Sequence, residues 1–331
     1  MHRKKLNAVL AAGLLTLIGI MTWLNLSDFS ALPNAQGELT DRRLLVLWQI
    51  RWPQITLAML SGAVLAITGS AMQGLLQNPL ASPGLLGSSS GATTASVVLL
   101  YYFSASSFLL LMGGVAGALL AFLLVYCMAR RYGITMMILA GVAINALFAA
   151  MITLLLSNAK SPWALAELYR WLQGSIAMAQ FEQMVWALPF IALGVLLIAL
   201  HRRYIDLLTF GQDSAETMGI NSQRSFLLTA LGIAMCVGAI IPQTGVIGFV
   251  GLVAPHLARM CLRERPSRLY VTSALFGALI VLVAHFCITY ITIFQRLYIG
   301  TLIAIVGAPF LVWMIWQLQH ASLHHIRGRY D

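Results

Sequence analysis

Charged side chains are scarce in this 331-residue chain: 9% of it is Asp, Glu, Lys or Arg, and only ten residues are acidic. A water-soluble fold of this length needs far more charge to cover its surface, so an ordinary soluble domain is excluded. There are four cysteines, Cys127, Cys236, Cys261 and Cys287, all in or beside apolar runs and none in a CxxC spacing, so they read as small buried hydrophobes. No glycine-rich phosphate loop is present, because Lys160 is the only lysine followed by Ser or Thr and the required glycines do not precede it. By itself the chain cannot use ATP. No Asp or Glu lies deep in an apolar run, which counts against a carrier driven by protons or sodium. There is also no HExxH pair, and His285 has no acidic companion, which leaves an intramembrane enzyme without a metal or acid–base constellation.

What is abundant is apolar sequence. Hydrophobic residues make up 60% of the chain and recur in runs of about 20 residues, the length a helix needs to cross a bilayer. Ten candidate spans follow, at 8–26, 53–76, 84–103, 106–128, 134–157, 183–201, 225–242, 246–262, 269–293 and 299–318. The expected fold is an all-α membrane protein, a single transmembrane domain over 1–331. The first run follows His2-Arg-Lys-Lys5 but has no small-x-small cleavage site after it, so it reads as a retained span.

Alternating the spans from a cytoplasmic amino terminus puts fourteen Lys and Arg inside and six outside, while the acidic residues split five and five. That is the positive-inside pattern, and it places both termini in the cytoplasm. It also explains the net charge of +10 without a nucleic-acid partner. Two outer segments are longer than turns. One is 27–52, with Asp28, Glu38, Asp41, Arg42 and Arg43. The other, 158–182, reads as an interfacial helix whose Trp163, Tyr169 and Trp171 serve either as headgroup anchors or as a surface for an outer partner. His285 is the one ionisable residue well inside a span, either bonded to a neighbouring helix or acting as a relay.

Two stretches break the helical pattern. Residues 77–92, QNPLASPGLLGSSSGA, hold two prolines, three glycines and four serines between apolar runs. Pro79 and Pro83 cannot donate backbone hydrogen bonds, while Gly84, Gly87 and Gly91 permit bends and close packing. Non-helical backbone is tolerated at membrane depth only where protein or water covers it. The stretch is therefore either a path-lining turn, with Asn78, Pro79, Ser82, Pro83, Gly87, Ser88, Ser89 and Ser90 near the cytoplasmic end of a route, or a tight helix connection. The second stretch, 204–224, reads as two short cytoplasmic helices hinged at Gly211 or as a solvated loop. In the helical reading Asp213 is the N-cap, Glu216 completes a capping box and Gly219 is the stop.

Seven motifs carry a resemblance. Asn78-Pro-Leu-Ala-Ser-Pro-Gly-Leu-Leu-Gly87, Trp48-Gln-Ile-Arg-Trp-Pro53, Leu139-Ala-Gly-Val-Ala143 and Trp171-Leu-Gln-Gly-Ser175 are four of them. The others are Phe210-Gly-Gln-Asp-Ser-Ala215 with Met218-Gly219, Gly248-Phe-Val-Gly-Leu-Val-Ala-Pro-His256 and Val306-Gly-Ala-Pro309. With these seven in family order along the chain and at matching spacings, the chain resembles the FecCD family of permeases, which serve ABC importers of iron-siderophores, haem and cobalamin.

The resemblance implies the type II importer permease fold and pairing with a second permease subunit, the same chain or another. Two ATPase subunits beneath use ATP and Mg; this chain would bind no cofactor. A periplasmic or extracellular binding protein delivers the ligand. Residues 205–220 become the coupling element, with Phe210, Gly211, Asp213, Ser214, Ala215, Glu216 and Gly219 meeting the ATPases. Arg51 stands at a binding-protein docking position, and Arg296 substitutes for a family arginine that falls at Thr289. Gln54 stands where cobalamin permeases carry another. His285 and Arg296-Leu-Tyr-Ile-Gly300 depart from family patterns near the outer half of the path. A ferric siderophore is the first expectation for the cargo; haem or cobalamin is the second, and an ion-coupled carrier lies outside the family reading.

Overall fold

The computed structural model describes residues 2–27, 32–33, 39–40, 43–103, 105–159 and 161–327. Asp28, Glu38, Asp41, Arg42 and Lys160 lie outside these. In chain order the helices are α1 (His2–Ser27), α2 (Arg43–Val46), α3 (Trp52–Leu75), α4 (Ser88–Phe103), α5 (Ser107–Ala129), α6 (Ile134–Ser157) and α7 (Pro162–Leu172). Then come α8 (Phe181–Leu200), α9 (Arg202–Leu208), α10 (Gln212–Thr217), α11 (Ser222–Thr244), α12 (Val250–Cys261), α13 (Tyr270–Tyr290) and α14 (Ile299–Arg327). A two-residue antiparallel ladder, Leu32–Pro33 with Leu39–Thr40, is the only strand pairing among the described residues.

Eight of these helices are long and apolar enough to cross a membrane. The other two candidate spans form shorter helices: 84–103 yields the 16-residue α4 and 246–262 the 12-residue α12. Each is entered through broken backbone rather than a full run of helix. At the start of α4, Pro83–Leu86 makes one tight turn and Gly87 adopts φ +86°, a left-handed conformation that glycine accepts without strain. Phe249, with φ +63°, sets the start of α12.

The centre of the bundle is α3 and α11, whose apolar windows are 72% and 83% buried, whereas that of α6 is 17% buried. In lipid there is little hydrophobic drive between helices, so contact depends on small residues that let backbones approach. A Cβ on Gly62 would lie 2.2 Å from the Gly277 carbonyl oxygen, which locks α3 to α13. Gly91 with Gly117 does the same for α4 and α5, and Gly194 with Gly232 for α8 and α11.

Contacts sort the connections into two ends. At one end, Arg3 donates to Glu264 at 3.3 Å, Ser267 bonds Asp206, and Gly74 touches Ile205 and Pro266. At the other, Gln54 Nε2 donates to Ala177 O at 3.1 Å, Gln183 Nε2 to Ser107 Oγ at 3.1 Å, and Ser175 N to Thr244 O at 2.8 Å. The grouping is the one that alternating spans require.

Candidate functional site

The two broken segments meet inside the bundle. A Cβ on Gly69 of α3 would fall 1.9 Å from Gly251 O, and one on Gly251 would fall 2.8 Å from Pro83 Cδ and 2.9 Å from Leu65 O. Leu65 lies ten residues before the end of α3, roughly 15 Å along a helix at 1.5 Å per residue. The run after α3 therefore folds back to that depth before α4 begins, and α12 starts at the same level.

Nearby groups take up the hydrogen bonds that such a break leaves open. Asn78 Oδ1 accepts Leu80 N–H at 2.9 Å. Ser88 Oγ donates to Pro83 O at 2.8 Å, and Ser90 Oγ donates to Gly87 O at 2.9 Å and to Asn145 Oδ1 at 2.6 Å. Asn145 Nδ2 donates in turn to Gly84 O at 3.1 Å, while Leu85 O lies where a Cβ on Gly141 would be, at 2.1 Å. Pro83, Gly87 and Ser88 are buried; Asn78, Pro79, Ser82, Ser89 and Ser90 are half-buried. The serine hydroxyls so placed serve the connection. Gly87–Gly91 also has the G-x-S-x-G spacing of a hydrolase nucleophile turn, but Ser89 opens a helix after a tight turn, and none of its recorded hydrogen bonds involves a histidine.

Asn145 was not singled out from sequence; a lone amide in an apolar run was the available signal. Replacing Asn145 with leucine strands the Gly84 carbonyl. It should destabilise the bundle by about 1 kcal/mol, the scale of interhelical hydrogen bonds in membranes, read as a lowered melting point in detergent. Gln73 of α3 makes a comparable tie to α12: Arg259 donates to its Oε1, and its Nε2 donates to Leu252 O at 3.4 Å.

At the end that carries α9 and α10, the hinge differs from the capping pattern read in the sequence. Gly211, with φ +99°, is the N-cap of α10 and no side chain caps it, so Asp213 is already the second helical residue and Glu216 completes no capping box. The reason is that Gly211 ends the turn after α9 and the helix restarts at once at Gln212. Asp213 can favour the helix start only through its charge; Glu216 Oε1 accepts from Gln212 Nε2 at 3.2 Å. The stop at Gly219 is as expected. With φ +79°, Gly219 N–H bonds Glu216 O at 2.9 Å and Ile220 N–H bonds Ala215 O at 3.1 Å, a Schellman closure. Ala215 is fully buried, while Phe210 and Met218 are 70% and 61% exposed. Phe210, Gly211, Asp213 and Glu216 face outward around Ala215, and Ser214 is half-buried.

Through α9, the hinge is tied to the bundle. Ile205 of α9 is fully buried, and a Cβ on Gly74 would meet its Cγ2 at 2.4 Å. Asp206 Oδ1 accepts Ser267 N–H at 3.0 Å, and its Oδ2 accepts Ser267 Oγ–H at 2.6 Å. So α9 grips the end of α3 and the turn that opens α13.

At the opposite end a cavity of about 240 Å³ is walled by Arg51, Gln54, Ser175, His285, Thr289 and Tyr298, among others. Arg51 comes from a wide π-turn, Leu47–Arg51, that leads into α3. His285 is 5% exposed; its Nδ1 shares a 3.4 Å hydrogen bond with Thr289 of its own helix, and its Nε2 has no partner. The expected bond to a neighbouring helix is not made, because the space beside the ring is cavity. Arg51 Nε and Gln54 Oε1 are also buried without a partner. Arg296 is exposed in the turn before α14 and does not line the cavity, although its neighbours Leu297 and Tyr298 do. Trp163 and Tyr169 of α7 are 81% and 50% exposed.

This architecture is shared. In solved structures it resembles a metal-chelate type ABC transporter in an inward-facing conformation, with a TM-score of 0.80 and 26% identity over 94% of this chain and 99% of that one. The fold also matches PsaBC from Streptococcus pneumoniae, with a TM-score of 0.57 over 81% of this chain and 92% of that one. It is the type II importer permease fold. The FecCD transport family model matches residues 8–317, and the chain belongs to that family. It is 35% identical to the vitamin B12 import system permease protein BtuC of Vibrio cholerae over 88% of this chain and 86% of that protein. It is 32% identical to the hemin transport system permease protein HmuU of Yersinia pestis over 83% and 85%. With the iron(3+)-hydroxamate permease FhuG of Bacillus subtilis it shares 30% over 84% and 86%. The chain is thus a multi-pass membrane permease of the ABC importer class.

Proposed function

We propose that this permease carries a ferric siderophore inward across the cytoplasmic membrane, driven by ATP that partner subunits hydrolyse. The supporting observation is a bundle of the FecCD family whose α9–α10 hinge is seated on α3 and α13 at one end. The Lys and Arg bias supports a cytoplasmic place for that end and for both termini. There two ATPase subunits, which bind ATP and Mg, would press on Phe210, Gly211, Asp213, Ser214, Ala215, Glu216 and Gly219. A second permease subunit would complete the route. The segment from Asn78 to Ser90 would form its inner wall, where Pro83 packs against Gly251 near the starts of α4 and α12. The bundle then switches between two packings according to what the partners grip. This chain binds no cofactor of its own in this scheme.

At the outer end a binding protein would dock on Arg51, with Arg296 beside it. Reversing the charge with Arg51→Glu should weaken association with the binding protein at least about tenfold, the scale of losing a charge-assisted pair. Surface plasmon resonance on the detergent-solubilised complex reads it directly. Unchanged affinity would remove Arg51 from the interface.

A ferric siderophore is the first reading, supported by the 30% identity to the iron(3+)-hydroxamate permease FhuG. Haem or cobalamin is the second reading, favoured by the identities of 32% to HmuU and 35% to BtuC. Proteoliposomes holding the full complex, offered labelled ferric hydroxamate, haem and cobalamin with ATP inside, separate the three. Uptake of ferric chelate alone is the expected result.

A further inference from the structure

The outer cavity carries positive charge and nothing on its walls to balance it. Arg51 lines it, and among the described residues no Asp or Glu does. Glu167 and Glu182, the described acids of that end, are exposed and off its wall. The elements packed on α13 bring no carboxylate to His285 either. From α1 comes Asn25, whose amide already donates to the Tyr290 hydroxyl at 2.6 Å. From α3 and the π-turn come Gln54 and Arg51, and from the turn before α14 comes the Tyr298 phenol. Other charged groups lie towards the inner end. Arg3 of α1 meets Glu264 there, Pro266 at the turn holding Arg268 touches Gly74, and the His256–Arg259 stretch of α12 is tied to Gln73. Gln73 is roughly 28 Å along α3 from Gln54.

The His285 ring can hold one proton or two without losing its own contact. Its Nδ1 lies 3.4 Å from Thr289 Oγ1, a hydroxyl that can donate to the ring or accept from it. Its Nε2 has no partner, in a side chain that is 5% exposed, and Arg51 Nε and Gln54 Oε1 are unpartnered on the same cavity. At about 240 Å³ the space is smaller than the roughly 300–1,000 Å³ of pockets that enclose a drug-sized ligand. It suits one side chain rather than a whole chelate.

We infer that His285 takes up a proton when the binding protein docks, an inference that rests on the docking role proposed for Arg51. An acidic side chain of the binding protein, drawn in by Arg51, would bring the missing negative charge into the cavity. That charge favours an imidazolium beside it. The docked state then holds more protons than the free state, so by linkage docking tightens as pH falls. Histidine is the side chain suited to such a change between about pH 5 and 8. His285 is in this sense a positioning residue, acting through the charge that Arg51 admits. It would make the outer face respond to the acidity of the compartment outside.

Isothermal titration calorimetry of the detergent-solubilised complex with its binding protein counts the protons taken up, when run near pH 6 in two buffers of unlike ionisation enthalpy. The unmodified permease should take up about half a proton more per docking event than His285→Gln. Its affinity should rise about threefold or more between about pH 8 and pH 6, with a flatter profile in the variant. His285→Phe repeats the comparison with a ring in place, should the glutamine variant not be recovered folded. Docking of normal strength with equal uptake in both chains overturns the inference and leaves the docking reading standing. A variant that docks more weakly at every pH with unchanged uptake overturns it too, since that is a packing effect. If Arg51→Glu docks as tightly as the unmodified chain, the docking reading falls and takes this inference with it.

Discussion

Replacing Gly69 with leucine should leave almost no monodisperse protein after extraction. The atoms that a side chain would meet are backbone: Gly251 O at 1.9 Å, and Gly251 C and Cα at 2.6 Å. A flexible neighbour could rotate away, but this one cannot. Gly251 is itself backed by Leu65 O and Pro83, so making space would pull α12 off α3 and dislodge the run before α4 as well. Overpacking of this kind costs about 3 kcal/mol or more, a large part of the roughly 5–15 kcal/mol that holds a typical fold together. Gly19→Leu is the matched control, since nothing lies within 4 Å of a Cβ there. Size-exclusion profiles and melting curves should separate the two variants clearly. Equal behaviour would mean that the two breaks do not meet at Gly251.

Exchanging residues 212–217 for a glycine-serine tract should abolish ATP-driven uptake while leaving the bundle folded. The six-residue α10 packs chiefly on α9 and the start of α11, so little of the core depends on it. The coupling role proposed for it rests on shape: Gly211 turns the chain in, the Gly219 closure turns it out, and Ala215 seats it. A flexible tract keeps the connection but cannot transmit a push to Ile205 and Asp206. In proteoliposomes with all partners, transport should fall by more than about tenfold, as expected when a gating element is uncoupled, with the melting point of the permease unchanged. Uptake at the normal rate would show that force enters elsewhere.

Much of this was legible from residues because lipid makes most crossings of a helical bundle long apolar helices, and eight of them are. Pro79 and Pro83 marked a break between the second and third spans, and Gly219 marked a helix stop. The depth to which the break returns was not legible, since it depends on Gly69 finding Gly251 across 182 positions. The left-handed Phe249 that starts α12 carries no sequence signal, because residues other than glycine seldom adopt it. Asp213 was misread because local spacing favoured a carboxylate cap, while Gly211 could take the turn and the cap position together. Arg51, Gln54 and Thr289 were each noted for the docking face, yet that they and His285 share one cavity appears only when α3 and α13 are set side by side.

The most direct test is uptake of labelled ferric siderophore into proteoliposomes, with the permease reconstituted either alone under proton and sodium gradients or with its ATPase and binding-protein partners and ATP. A bundle with no fuel of its own should accumulate chelate only in the second preparation. Accumulation by the permease alone, on an ion gradient and without nucleotide, would contradict the account.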